Sequence, residues 1–245
     1  MLKRFVTALI CLTLSFALGS CTKKAGPTNS ADPNAPVAGV EKVKPAPGTG
    51  NVQGKVLYNN SPVENIEVKL CETFSRFLSG CGGKIYTAKT DKDGDFVITN
   101  VPPKEYEGLT VRVFDTDSYV FATTGIAGIA ATKYNVEADK TLFVRPTYLF
   151  KGDLKVLNPK AGSTVSGTDL ELKWESYPDA SYYKFTLYPD NHQITPPYLN
   201  ERVEGATFKV NKTLEKGTYR YTIEAFNSAD KKLSETPDDI KFTVN

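Results

Sequence analysis

From Asn51 onward the chain alternates apolar and polar residues with a period of two. Ile66, Val68 and Leu70 alternate with Glu67 and Lys69, and Leu109, Val111 and Val113 alternate with Thr110 and Arg112. A strand turns successive side chains to opposite faces, so this pattern predicts strands with one face on a core and the other toward solvent. Turn-forming clusters separate the runs at Asn59-Asn60-Ser61-Pro62, at Asp91 to Asp95 and at Asn100 to Pro103. No stretch sustains a helical period. The pattern predicts an all-β chain of two tandem β-sandwich domains, residues 51–150 and 153–245, the second with about seven strands. Only Lys151-Gly152-Asp153 lies between them, which predicts a rather stiff pair.

The first fifty residues have no such pattern. Lys3 and Arg4 precede an apolar run from Phe5 to Leu18, followed by small residues, which are the three zones of a secretory signal peptide over residues 1–20. A membrane span needs roughly 20 apolar residues and this run is shorter. From Thr22 to Gly50 there are five prolines, four glycines and no aromatic residue, a composition that buries no core. Residues 21–50 therefore read as a flexible tether, spanning on the order of 30 Å at about 5 to 6 Å times the square root of its length. A segment that merely marks a tolerant terminus has the same composition.

The residues Leu18-Gly19-Ser20-Cys21 resemble the lipobox of bacterial lipoproteins, in which an aliphatic and two small residues precede an invariant cysteine. The resemblance implies cleavage before Cys21, a diacylglyceryl thioether on its sulfur and acylation of the new amino group. Ala17-Leu18-Gly19 also fits an ordinary cleavage site, which would leave Cys21 free. Cysteine arithmetic weighs between the two. Cys11 lies in the leader, so the mature chain holds Cys21, Cys71 and Cys81, and export implies an oxidising compartment. If Cys71 pairs with Cys81, the odd one is Cys21, and lipidation accounts for it. Two or three acyl chains there would anchor the chain firmly in a membrane. Thr22 follows the cysteine in place of an aspartate; the family's sorting rule then implies the outer membrane of the cell envelope.

Within residues 51–150, "GKV" at Gly54 to Val56, "SPVENIEVKL" at Ser61 to Leu70, "TDKDGDFVITNVPP" at Thr90 to Pro103 and "LTVRVF" at Leu109 to Phe114 resemble the carboxypeptidase regulatory-like domain, a transthyretin-like β-sandwich. That family accompanies zinc carboxypeptidases without supplying metal or catalytic residues, so the resemblance implies a fold and no activity. Within residues 153–245, "LELKW" at Leu170 to Trp174, "YYKFTLY" at Tyr182 to Tyr188 and "LEKGTYRYTIEAFN" at Leu214 to Asn227 are similar to a fibronectin type III-like domain. The likeness makes Trp174 the core tryptophan, with Tyr183, Phe185 and Leu187 facing inward beside Tyr221, Ile223 and Ala225. The loop "EKGTY" lacks the usual proline, which leaves open which tyrosine forms the tyrosine corner.

Charge changes the picture only by exclusion. The chain has 30 basic and 28 acidic residues, and removing residues 1–20 takes away Lys3 and Arg4 with no acid, so the mature charges balance. No basic stripe argues for nucleic acid. The chemistry is equally thin. The single histidine, His192, lies in a turn-like stretch, and no G-x-S-x-G elbow is present, so an enzyme is not expected. The segment "SGCGG" at Ser79 to Gly83 would expose a thiol, but no partnering base is evident, and a Cys71–Cys81 bridge worth roughly 2 to 3 kcal/mol is the plainer account. Two thiolates and a distant histidine make no zinc set. No cofactor is expected.

Three further features invite a binding role. In "CETFSRFLSGC", Phe74, Phe77 and Leu78 stand at i, i+3 and i+4, so a single helical turn would gather them on one face. That face either plugs an open end of the sandwich or forms a disulfide-stiffened knob that contacts a partner. In "DKDGD", Asp91, Asp93 and Asp95 resemble a calcium loop, but Phe96 and Pro102 occupy the positions of the EF-hand's glycine and glutamate, and Asp-Gly fits a tight turn. Tyr177, Tyr182, Tyr188 and Tyr198 cluster in the second domain, where exposed rings would stack on sugars and buried ones would only fill the sandwich. The tripeptide "KGD" at the junction carries almost no information. The reading is a lipid-anchored, noncatalytic envelope protein acting as a binding or scaffolding module of unassigned ligand, its partner a protein or a polysaccharide of the envelope; polysaccharide binding through the second-domain tyrosines is the alternative.

Overall fold

The computed structural model describes residues 37–75, 80–124, 130–190 and 196–245. These residues form strands and connections, and among them no helix is long and apolar enough to cross a membrane. The chain is all-β, with two sandwiches in tandem.

The N-terminal sandwich runs β1 (Gly50–Tyr58), β2 (Ser61–Pro62), β3 (Glu67–Ser75), β4 (Gly80–Lys89), β5 (Asp95–Val101), β6 (Lys104–Glu107), β7 (Leu109–Arg112), β8 (Tyr119–Phe121), β9 (Thr123–Thr124), β10 (Ala130–Ala131), β11 (Lys133–Val136), β12 (Thr141–Phe143) and β13 (Thr147–Tyr148). One sheet is built on β1, which pairs in parallel with β12 and β13 and antiparallel with β5 and β2. The facing sheet has the order β4-β3-β7-β8, and β6 pairs with β11 beside it. Between the sheets lie Val52 and Val56 of β1, Phe96 and Ile98 of β5, Val68 and Leu70 of β3, and Leu109 and Val111 of β7. These are the alternate apolar positions of the sequence, so the period-two pattern sets which face each strand buries.

The second sandwich runs β14 (Val156–Asn158), β15 (Thr164–Val165), β16 (Glu171–Trp174), β17 (Tyr182–Pro189), β18 (Tyr198–Val203), β19 (Thr207–Lys209), β20 (Gly217–Phe226), β21 (Lys232–Glu235) and β22 (Ile240–Val244). A three-stranded sheet β14-β16-β19 faces β15-β22-β20-β17-β18, with β21 also on β20. Trp174 packs edge-on against Tyr183 at 5.3 Å, and Phe185, Leu187, Tyr221, Ile223 and Ala225 join the same core, as expected. The tyrosine left open by the sequence is Tyr219. Its hydroxyl donates to the carbonyl of Glu215, four residues upstream, at 3.1 Å. Tyr221 instead donates to Pro159 O at 2.8 Å.

The junction is tied on several sides. Lys151 N donates to Leu233 O and Glu235 N to Lys151 O, both at 2.9 Å, and Ser234 Oγ donates to Asp153 Oδ1 at 2.7 Å. Asn59 Nδ2 reaches Asp179 Oδ2 and Asn227 Nδ2 reaches Asn59 Oδ1, each at 2.9 Å, while the Tyr58 and Tyr177 hydroxyls meet at 3.3 Å. Burial pushes the Tyr177 phenol up, helped by Tyr58. Residues from both sandwiches close this contact, so the linker tripeptide is no swivel.

One expectation is corrected here. Residues 37–49, read as part of a flexible tether, lie strapped along β1. Gln53 Oε1 accepts Lys42 N at 3.0 Å, Gln53 Nε2 donates to Val40 O at 2.9 Å, and Asn51 Nδ2 donates to Val43 O at 2.8 Å. Val40 and Val43 stay exposed, and the segment is held through its main chain by amide side chains that are almost fully buried (Asn51 1 %, Gln53 8 % exposed). Residues 21–36 lie outside the described residues.

Candidate partner-binding groove

The outer face of the β4-β3-β7-β8 sheet carries a concavity of about 450 Å³, with Phe74, Cys81, Ile85, Thr110, Tyr119 and Phe121 among its walls. Register builds it. Lys69 stands opposite Thr87 of β4 and Thr110 of β7, and Thr110 stands opposite Phe121 of β8, so one row of side chains crosses all four strands. A bulge on β4, where Gly83 and Lys84 oppose the single Glu72, shifts the register and brings Phe74 opposite Cys81. Phe74 then meets Phe121 with ring centroids 4.7 Å apart. Gly108, at φ +83°, lets this happen: a Cβ there would stand 2.6 Å from that of Phe74.

Cys71 and Cys81 are joined by a disulfide, with Cα atoms 5.3 Å apart and a sequence separation of ten. The bridge ties β3 to β4 at the groove, and Cys81 Sγ lies 3.8 Å from Thr110 Oγ1. The far wall is polar and internally satisfied. Lys69 Nζ donates to Tyr119 Oη at 2.7 Å, Tyr119 Oη donates to Glu67 Oε1 at 3.0 Å, and Lys69 pairs with Glu67 at 2.9 Å. The Lys69 ammonium holds the Glu67 carboxyl below the usual range against the opposing effect of burial, and the bond to Tyr119 holds Lys69 above its own. The groove thus combines an apolar floor, a polar wall and a covalent brace.

β4 forms one rim. Lys84 and Lys89 on the strand, and Lys92 just after it, are exposed and in no ion pair among the described residues. Lys84 rides over the Tyr86 ring at 5.0 Å and Lys89 bonds the Asn65 amide oxygen at 3.0 Å. The nearby Glu72 carboxylate is taken by Lys104 and by the Lys84 backbone N–H.

The predicted site residues distribute unevenly over this picture. Cys71 and Cys81 bridge as expected. Phe74 lines the groove, but from a strand: β3 continues to Ser75 and pairs Thr73, Phe74 and Ser75 with Gly82, Cys81 and Gly80. For Phe74 the expected helical turn is therefore corrected, because the ladder satisfies the backbone through Ser75. Phe77 and Leu78 lie outside the described residues, as do Cys21 and His192. Asp91 and Asp95 both grip Lys42, at 2.7 and 2.6 Å, and Asp95 also holds Lys55 at 2.9 Å. Asp91 Oδ1 accepts the amides of Asp93 and Asp95 around Gly94, at φ +73°, the tight turn that Asp-Gly implied. The bond from Lys42 holds the Asp91 carboxyl low; for Asp95 burial opposes, and Lys42 and Lys55 prevail.

The second-domain tyrosines are largely covered. Tyr182 and Tyr198 are buried, Tyr177 lies in the junction, and cations cap the rings: Arg202 over Tyr182 at 3.6 Å, Lys212 over Tyr198 at 4.7 Å and Arg220 over Tyr188 at 5.2 Å. Sequence reasoning missed Lys69, Ile85, Thr110, Tyr119 and Phe121. Their only signal was membership of the outward half of the alternation, which reads as plain solvent face.

No family model matches the sequence, and no curated protein matches it. Among solved structures, the chain is similar to the fibronectin(III)-like modules of CbhA from Clostridium thermocellum, at 15% identity over 38% of this chain and 96% of that one, with a TM-score of 0.25. It is also similar to the FN1–FN3 domains of chicken CNTN1, at 12% identity over 82% of this chain and 69% of that one, with a TM-score of 0.29. The full-length major pilin SpaD of Corynebacterium diphtheriae matches at 10% identity over 80% of this chain and 64% of that one, with a TM-score of 0.28. These likenesses are too loose to bear on function, which lives in specific sites and not in the fold that carries them.

Proposed function

We propose that the chain is an exported, lipid-anchored, noncatalytic binding or scaffolding module of the cell envelope, held to the outer membrane through Cys21, whose N-terminal sandwich contacts a protein partner through the groove beside the Cys71–Cys81 bridge. The observation that carries the binding role is the braced groove itself, where Phe74, Phe121 and Ile85 leave apolar surface on an outward sheet face. Ile85, on the edge strand β4, adds an exposed large aliphatic to it, 42 % accessible. The bridge also supports the anchor: with Cys71 and Cys81 joined, Cys21 is the odd cysteine once the leader carrying Cys11 is removed. The cations over Tyr182, Tyr188 and Tyr198 favour a protein partner over sugar stacking.

Two measurements test this. Cys21→Ser should abolish lipid labelling and membrane fractionation; retention in the membrane fraction without label would overturn the anchor. In-cell crosslinking from the groove should capture a partner that is identified by mass spectrometry and lost in Phe74→Ala/Phe121→Ala. Equal capture by both forms would remove the groove from the binding role.

A further inference from the structure

We infer that the partner enters the groove as an extended acidic segment that adds to β4 as a new strand, a refinement that rests on the groove being the docking surface. β4 has ten residues and, among the described residues, pairs only with β3. From Lys89 back to Ile85 its register against Glu67–Cys71 runs without a shift, so this stretch is regular on its open side as well. In such a ladder every second residue turns both its N–H and its C=O away from the existing neighbour. Proteins ordinarily avoid open edges by shortening, bulging or covering them; here the bulge at Gly83-Lys84 ends the regular stretch, and Ile85–Lys89 stays open among the described residues, as strand addition requires.

Charge selects the strand. β4 has no acidic residue, and Lys84, Lys89 and Lys92 have no carboxylate within ion-pair distance among the described residues. The contrast lies within the same sandwich, where Lys42, Lys55, Lys69, Lys104, Lys133 and Lys140 each hold a carboxylate. A second copy is a poor occupant. Two β4 strands paired edge to edge would bring together two rims that each carry Lys84 and Lys89 and no acidic residue, like charge beside like. An acidic strand meets the same lysines with opposite charge. Its outward side chains would abut Ile85 and Cys81, the two β4 side chains that form the near wall of the groove. Main-chain pairing supplies affinity in this arrangement, and the lysines and the apolar wall supply selection.

The test uses the full chain and three synthetic ten-residue probes: alternating Glu and Val, alternating Lys and Val, and the Glu/Val peptide with every backbone amide N-methylated. The Glu/Val peptide should bind and slow hydrogen exchange of β4 amides between Lys84 and Lys89. Methylation, or the Lys/Val swap, should weaken binding at least tenfold, and Lys84→Glu/Lys89→Glu should reverse the charge preference. Equal binding of the methylated peptide would overturn strand addition while leaving groove docking intact. Equal binding of Lys/Val, binding by none of the probes, or concentration-dependent protection of β4 without peptide would overturn the proposal too. The reading of the groove fails separately, by the crosslinking comparison above.

Discussion

Gln53→Leu isolates the strap. The substitution keeps the side chain's bulk and removes both hydrogen bonds to the strap, Lys42 N to Oε1 at 3.0 Å and Nε2 to Val40 O at 2.9 Å. Each such bond is worth about 0.5 to 1.5 kcal/mol net, and the freed strap groups are near solvent and rehydrate, so docking should weaken by about 1 to 3 kcal/mol. The competing contribution is the contact of Lys42 with Asp91 and Asp95; the Lys42, Asp91 and Asp95 side chains are 37 %, 45 % and 17 % exposed. Exposed pairs are worth about 0.2 to 1 kcal/mol, so the amide clamp outweighs the charge latch. None of the sandwich core changes, and the effect should therefore be local opening. The Lys42 amide proton should exchange about 5- to 150-fold faster in Gln53→Leu. The Gly48 amide, held by Asp139 Oδ1 at 2.9 Å, and the Thr49 amide, held by Ala46 O at 3.0 Å, should stay protected as internal controls. Lys42→Ala should open the strap less. Unchanged Lys42 exchange in Gln53→Leu, or a larger effect from Lys42→Ala, would refute the clamp.

Other consequences follow from the same geometry. Asp91 and Asp95 titrate below the ordinary aspartate value of 3.8 in the folded chain, so their contribution to strap docking is present above that pH and fades as pH falls through their folded values; Lys42 is raised above 10.5, so its share is complete below that pH and fades only as pH rises past it. Strap protection, corrected for intrinsic exchange, should thus be flat between about pH 5 and 9 and fall below about pH 4; a fall near pH 6 would contradict this assignment. Converting Cys71 and Cys81 to serine removes a brace spanning ten residues and should cost about 2 to 3 kcal/mol in urea unfolding, with loosened β3–β4 amides; no loss would show that the bridge does not constrain the hairpin. Tyr221→Phe strands the Pro159 carbonyl in a buried site and should cost about 1 to 3 kcal/mol, whereas Tyr219→Phe frees a carbonyl on exposed Glu215 and should cost about 0.5 to 1.5 kcal/mol. The reverse order would refute the burial argument.

Much of the fold was legible in the alternation, because one buried face per strand is a local, one-dimensional signal. Val68 and Leu70, Val111, Tyr183, Phe185 and Leu187 all bury where the period places them. Turn chemistry was equally local: Asp-Gly at Asp93-Gly94 forms the positive-φ turn it implied. The cysteine count pointed to Cys71 and Cys81 as partners, and they are joined. Three things belonged to tertiary structure alone. The strap was invisible because its valines Val40 and Val43 are exposed and form no buried face, while its main chain bonds to Asn51 and Gln53, polar residues at buried positions of β1. Phe74 was misassigned because helical spacing was its only local cue, and the β3–β4 ladder with its bridge outweighed it. The groove came last, since Phe121 joins Phe74 only when β7 and β8 are laid beside β3 in register. Alternation says which face a residue shares; register across non-adjacent segments says which residues on that face touch, and only the assembled sheet sets that register.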